Sequence, residues 1–185
     1  MPEAELYQLK ADWDTLELAL AGDERAWRRL FEQHAPSLLR MTALVTGSAD
    51  SAKDLVQETF LRLVGRTPEH RDGTVRAYLS TIAFRLALKE KGRWRRDHHE
   101  KDGDPVAHDP SPLEMTVRRE EERGVLSVLM SLPDAQREIL VLRFYAGLSY
   151  EEIAAATGIP IGTVKSRIFY AVKTSRKELR KRGVL

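Results

Sequence analysis

Thr163, Lys165, Ser166, Arg167, Tyr170 and Lys173 fall together on the outer side of a helix read from Pro160 onward. An arginine can grip both acceptors of a guanine edge, a lysine can neutralise a phosphate, and hydroxyls can bond to either. This is recognition chemistry for a polyanion, not bond-breaking chemistry. A second basic concentration lies at residues 85–96, with 6 basic and 1 acidic residues, net +5. Residues 97–122 carry 3 basic and 9 acidic residues, net −6, and residues 125–185 carry 10 and 5, net +5. The formal net charge of +2 conceals this segregation. Two basic blocks flanking an acidic one form a pattern that a nucleic acid can use. Any single run, taken alone, reads as a solvated face.

The elements that must position these side chains are helical. Ser149-Tyr150-Glu151-Glu152 is a capping box, in which hydroxyl and carboxylate satisfy each other's backbone amides. A short helix to about Ala156 is followed by the turn Thr157-Gly158-Ile159, where glycine accepts a positive φ. The second helix starts near Pro160 and buries Val164, Ile168 and Ala171. Small Ala154 before the glycine and aliphatic Val164 after it fit a helix-turn-helix. Arg176, Lys177, Arg180, Lys181 and Arg182 extend the basic character. Upstream, Leu113–Ser131 reads as a helix with a charged face. Pro133-Asp134 begins another, with Ala135, Ile139, Leu142 and Ala146 expected inward and Gly147 ending it.

The N-terminal half repeats the helical pattern. Asp23 is a candidate cap for a stripe of Trp27, Leu30, Phe31 and His34, which continues through Leu38, Met41 and Val45 to Gly47-Ser48. Leu55, Thr59, Phe60 and Leu63 form the next stripe. A polar loop, 65–73, precedes Leu79, Ile82, Ala83 and Leu86, which lead into the first basic block. Sustained period-two alternation is missing. The expected fold is all-α: two small helical domains, residues 1–96 and 113–185, joined by a flexible acidic linker at 97–112, the second containing the helix-turn-helix.

The composition excludes several classes. The 185 residues are 42% hydrophobic and 31% charged, enough apolar content for a core. With no cysteine, disulfides, thiolate metal sites and cysteine nucleophiles are excluded. Mean hydropathy is −0.41 and no run suits a membrane span, while the acidic start is unlike a secretory signal. A soluble cytoplasmic protein is expected. His98, His99 and His108 lack supporting ligand spacing, so no metal is expected. The sequence offers no phosphate-binding loop and no nucleophile–base pair, so we expect no enzyme and no cofactor.

Four stretches together resemble the extracytoplasmic-function (ECF) sigma factors of bacterial RNA polymerase. They are GDERAWRRLFEQH, DLVQETFLRLV, RAYLSTIAFRLALKEKGRWRRD and LPDAQREILVLRFYAGLSYEEIAAATGIPIGTVKSRI, in this order. The resemblance spans roughly residues 18–96 and 113–180. It implies a region 2-like first domain that binds core polymerase and the −10 element, and a region 4-like second domain that reads the −35 element as duplex. The family's middle region has no counterpart here. Asp54, Gln57, Glu58 and Arg62 form a polar face that, by pattern alone, is simply solvated; the resemblance implies docking on the polymerase β′ clamp helices, with the β subunit a further partner. The resemblance places Tyr78, Phe84, Arg85, Lys89, Lys91, Arg93, Trp94, Arg95 and Arg96 at the −10 element. Cations there would track the single-stranded backbone and aromatics would receive unstacked bases. The loop 67–74 resembles the family segment that helps hold an extruded base. An anti-sigma factor is implied as regulator, and the acidic linker resembles a segment that imitates RNA in the polymerase channel.

Three positions differ from the family pattern: Arg85 where Asn is common, Lys89 where Asp is common, and Tyr170 where Arg is common. The competing reading is a free-standing DNA-binding repressor or activator. Such a protein has no need of the Asp54–Arg62 face or of the first basic block.

Overall fold

A computed structural model of the chain describes residues 3–64, 73–99 and 120–185. Every regular element among them is helical. The first is α1, Glu3–Leu20, most of which precedes the stretches that carry the family resemblance. Its Trp13, Leu16 and Ala19 are buried in the core. The Trp13 indole N–H donates to the Gly73 carbonyl at 3.1 Å, tying α1 to the residues that open α4.

α2 (Glu24–Thr46) starts where Asp23 accepts the amides of Arg25 and Ala26, and ends at Gly47 with φ +78°. It runs through Pro36 without interruption. Its stripe is buried at Leu30, His34, Leu38, Met41 and Val45. Phe31 departs from expectation: its ring is half exposed and rests on Phe60 at 5.0 Å. α3 (Ala49–Leu61) is capped by the Ser48 hydroxyl. α4 (Val75–His99) is a single helix that carries the whole first basic block. Residues 97–99, read from the sequence as linker, therefore belong to this helix.

In the second half, α5 (Glu120–Ser131) turns sharply at Leu132-Pro133 into α6 (Asp134–Leu140). Buried Arg137 holds that corner by donating to the carbonyls of Met130 and Leu132. α6 continues as a π-helical turn, Val141–Tyr145, before Gly147 reverses the chain at φ +71°. Ile139, Leu142 and Ala146 are buried as expected, whereas Ala135 is exposed. Then come α7 (Tyr150–Thr157) and α8 (Ile161–Lys181). The buried apolar side chains of both halves merge into one core, with Leu79 and Phe84 in the same cluster as Leu142, Leu148 and Ile153. Among the described residues no helix is long and apolar enough to cross a membrane.

Candidate nucleic-acid interface

The helix-turn-helix is built from local chemistry. The Ser149 hydroxyl accepts the Glu152 amide at 3.1 Å, and the Glu152 carboxylate accepts the Ser149 amide at 2.7 Å. Gly158, at φ +72°, returns its amide to the Ala154 carbonyl and swings the chain toward α8. The Pro160 carbonyl then accepts the amides of Thr163 and Val164. Fully buried Ile153 and Val164 lock α7 to α8. On the outer side of α8, Lys165, Ser166, Arg167, Tyr170 and Lys173 are exposed, and Thr163 is half-buried. Sequence reasoning missed Phe169, which is 63% exposed and packs edge-on against Tyr170 at 5.4 Å. Its position next to buried Ile168, off the apolar stripe, was the available signal.

The α4 surface has a different character. Arg85, Lys89, Arg93, Arg95 and Arg96 are exposed, and Trp94 is 39% exposed. Tyr78 is half-buried against Trp13, with ring centres 5.9 Å apart. Phe84 corrects the sequence reading: at 1% exposure its ring fills the core and offers no face to a base. Lys91 is also drawn in, its side chain only 11% exposed. Its ammonium lies 2.8 Å from the carboxylates of both Asp134 and Glu138, two residues one turn apart on α6. Arg95 also pairs with Asp134, as does Arg137. Burial alone would raise the Asp134 pKa. The Lys91 hydrogen bond and the charges of Lys91, Arg137 and Arg95 outweigh it and hold the carboxyl below its ordinary value. Nearer the start of α4, Arg76 donates to the Tyr145 carbonyl at 2.8 Å and Arg85 to the Ala155 carbonyl at 3.2 Å.

On α3, Leu55 and Thr59 are buried, and the Thr59 hydroxyl donates to the Leu55 carbonyl. Asp54, Gln57 and Arg62 are exposed, Glu58 is half-buried, and Glu58 pairs with Arg62 at 2.9 Å. Most of the loop 67–74, residues 100–112 of the expected linker with His108, and residues 113–119 lie outside the described residues.

A capped helix-turn-helix with a cationic outer face, sharing a chain with a second basic helix, has the build of a DNA-binding protein. Residues 30–98 match the sigma-70 region 2 family and residues 123–174 match sigma-70 region 4. The chain is 33% identical over 173 residues to the ECF RNA polymerase sigma factor SigL of Mycobacterium tuberculosis, covering 90% of this chain and 96% of that one. It is 36% identical over 154 residues to the ECF sigma factor SigE of Mycolicibacterium smegmatis, covering 80% of this chain and 60% of that longer relative. Its fold is similar to the sigma factor RpoE solved in complex with the anti-sigma factor NepR from Bartonella quintana, with a TM-score of 0.62, 26% identity and coverage of 83% and 96%. The protein belongs to the ECF sigma factors of the sigma-70 family and serves transcription initiation, a role without catalysis of its own.

Proposed function

We propose that this sigma factor binds core RNA polymerase through the polar α3 face, reads the −35 element as duplex with α8, and engages the −10 element with α4. The observation that carries the reading is the pairing of two chemically distinct basic helices on one chain. α8 presents Lys165, Ser166, Arg167, Tyr170 and Lys173 from a rigid helix-turn-helix, the arrangement that suits a major groove. α4 presents Arg85, Lys89, Arg93, Trp94, Arg95 and Arg96 on one long helix, which suits a backbone and unstacked bases. Asp54, Gln57, Glu58 and Arg62 leave a polar, partly acidic face for the β′ clamp helices, and the second domain meets the β subunit. The acidic linker runs in the polymerase channel as an RNA mimic. The relative RpoE was solved with an anti-sigma factor, which supports a regulator of that kind here. The site of action is the cytoplasm.

The test is run-off transcription from a cognate promoter with purified core polymerase and this chain. The expected result is initiation at one defined start, and retention of core enzyme on the immobilised chain without DNA. Tight binding to promoter duplex by the chain alone, with no retention of polymerase, would instead favour a free-standing DNA-binding regulator.

A further inference from the structure

One side chain of α1 governs the opening of α4. Trp13 is 6% exposed, and its indole N–H donates to the Gly73 carbonyl, 60 positions along the chain, at 3.1 Å. Its ring also rests against Tyr78, with centres 5.9 Å apart and planes inclined at 48°. Gly73, at φ +82°, turns the chain into α4. Between the two contacts the backbone is one closed turn. The Thr74 hydroxyl accepts the Ala77 amide at 2.9 Å, and the Thr74 carbonyl accepts the Tyr78 amide at 3.0 Å. α1 is itself fixed by buried Leu16 and Ala19, and by the Gln33 side-chain amide, which donates to the Asp12 carboxylate at 3.1 Å.

A core position needs only apolar volume, and Leu16 and Ala19 supply no more than that. Trp13 adds a donor aimed at the backbone where α4 begins. The effect falls on Tyr78, whose half-buried ring leans on Trp13 and keeps part of its surface open to solvent. Stacking on an unstacked base needs a ring held still, because each rotamer frozen on binding subtracts from the affinity.

We infer that Trp13 is a positioning residue for single-strand capture: from α1 it holds Gly73 and Tyr78 so that the Tyr78 ring is set in advance to receive a base of the −10 element. The inference rests on the assignment of α4 to that element. It adds to the site a residue that lies outside both basic helices. Trp13 itself touches no DNA and acts through Tyr78.

The test uses the chain loaded on core RNA polymerase and a single-stranded −10 oligonucleotide from its cognate promoter, with thermal midpoints of the chain measured alongside. Trp13→Phe keeps a ring and loses the donor. It is expected to weaken binding roughly fivefold, the scale of one hydrogen bond. The slope of log affinity against log salt should stay as it is, because no phosphate contact is lost. Tyr78→Leu should weaken binding at least as much, and Trp13→Phe should add little on top of it. Leu16→Val, at a buried position of α1 with no polar group to offer Gly73, should lower the thermal midpoint and leave oligonucleotide binding unchanged. Three results overturn the positioning role: unchanged binding by Trp13→Phe, a loss that adds in full to that of Tyr78→Leu, or an equal loss from Leu16→Val. Arg93→Gln and Arg96→Gln together report on the underlying assignment, and should flatten the salt slope by about 1.4, or about 0.7 for each phosphate contact on a single strand. An unaltered slope removes α4 from the single strand, and the role of Trp13 with it. A flattened slope beside an inert Trp13→Phe removes Trp13 alone.

Discussion

α4 and α8 are both long basic helices, yet the chain treats them oppositely. α8 lies on its own small scaffold with Lys165, Arg167 and Lys173 turned to solvent. α4 lies between the two halves, with Lys91 almost enclosed and Arg95 engaged. A duplex reader can be built in advance, because a rigid helix fits a rigid groove. The single-stranded partner proposed for α4 has no fixed shape, and the cations of this helix attract nearby anions of their own chain. The difference teaches that basic charge in a sequence marks a capacity for nucleic acid, whereas availability is decided by neighbours.

The contrast can be broken most severely on the α8 side. Ile153→Ala removes a fully buried side chain that fixes α7 against α8. It should destabilise the fold by about 2–5 kcal/mol in denaturant unfolding, with duplex binding lost in parallel. Arg167→Ala should leave stability unchanged and cost about 1–3 kcal/mol of discrimination between a cognate and a scrambled −35 duplex. An equal loss on both sequences would remove Arg167 from base readout. Lys173→Gln should weaken both duplexes alike and flatten the slope of log affinity against log salt by about one unit.

Two smaller effects sharpen the contrast from the first domain. Burial lowers the His34 pKa from 6.5; Asp12 pulls it up and Arg76 pushes it down. The folded chain therefore disfavours the imidazolium. The stability that neutral His34 contributes is complete above pH 6.5 and drains as the pH falls from there through its lowered value. Thermal midpoints at pH 7.5 and pH 5 should differ less in a folded His34→Gln chain. The smallest effect is expected from Glu58→Gln, which breaks an exposed pair with Arg62 and should cost only about 0.3–0.5 kcal/mol in stability. A clear loss of polymerase retention from that variant would mark α3 as an interface.

Much of the local structure was legible because it depends on neighbours a few residues away. The capping box at Ser149, the left-handed turn at Gly158, the Asp23 cap and the stripes of α2 and α3 follow from spacing. α1 was not legible, since Trp13, Leu16 and Ala19, which are buried in the core, stand among acidic and polar residues in the sequence. Phe84 and Trp94 looked equivalent as aromatics near a basic block. Only packing separates the ring that fills the core from the one that meets solvent. Likewise Ala135 fits an inward stripe by spacing, yet the turn at Pro133 leaves it outside.

By itself the sequence determined a helical chain with two cationic surfaces and the identity of the helix-turn-helix motif. Those features are set by contacts within one or two helical turns and by a family pattern carried in order along the chain. The tertiary structure alone decided which cations are covered. The Lys91–Glu138 and Arg95–Asp134 pairs join residues 47 and 39 positions apart. No local propensity reaches that far; only the packing of one half against the other brings those charges within a hydrogen bond.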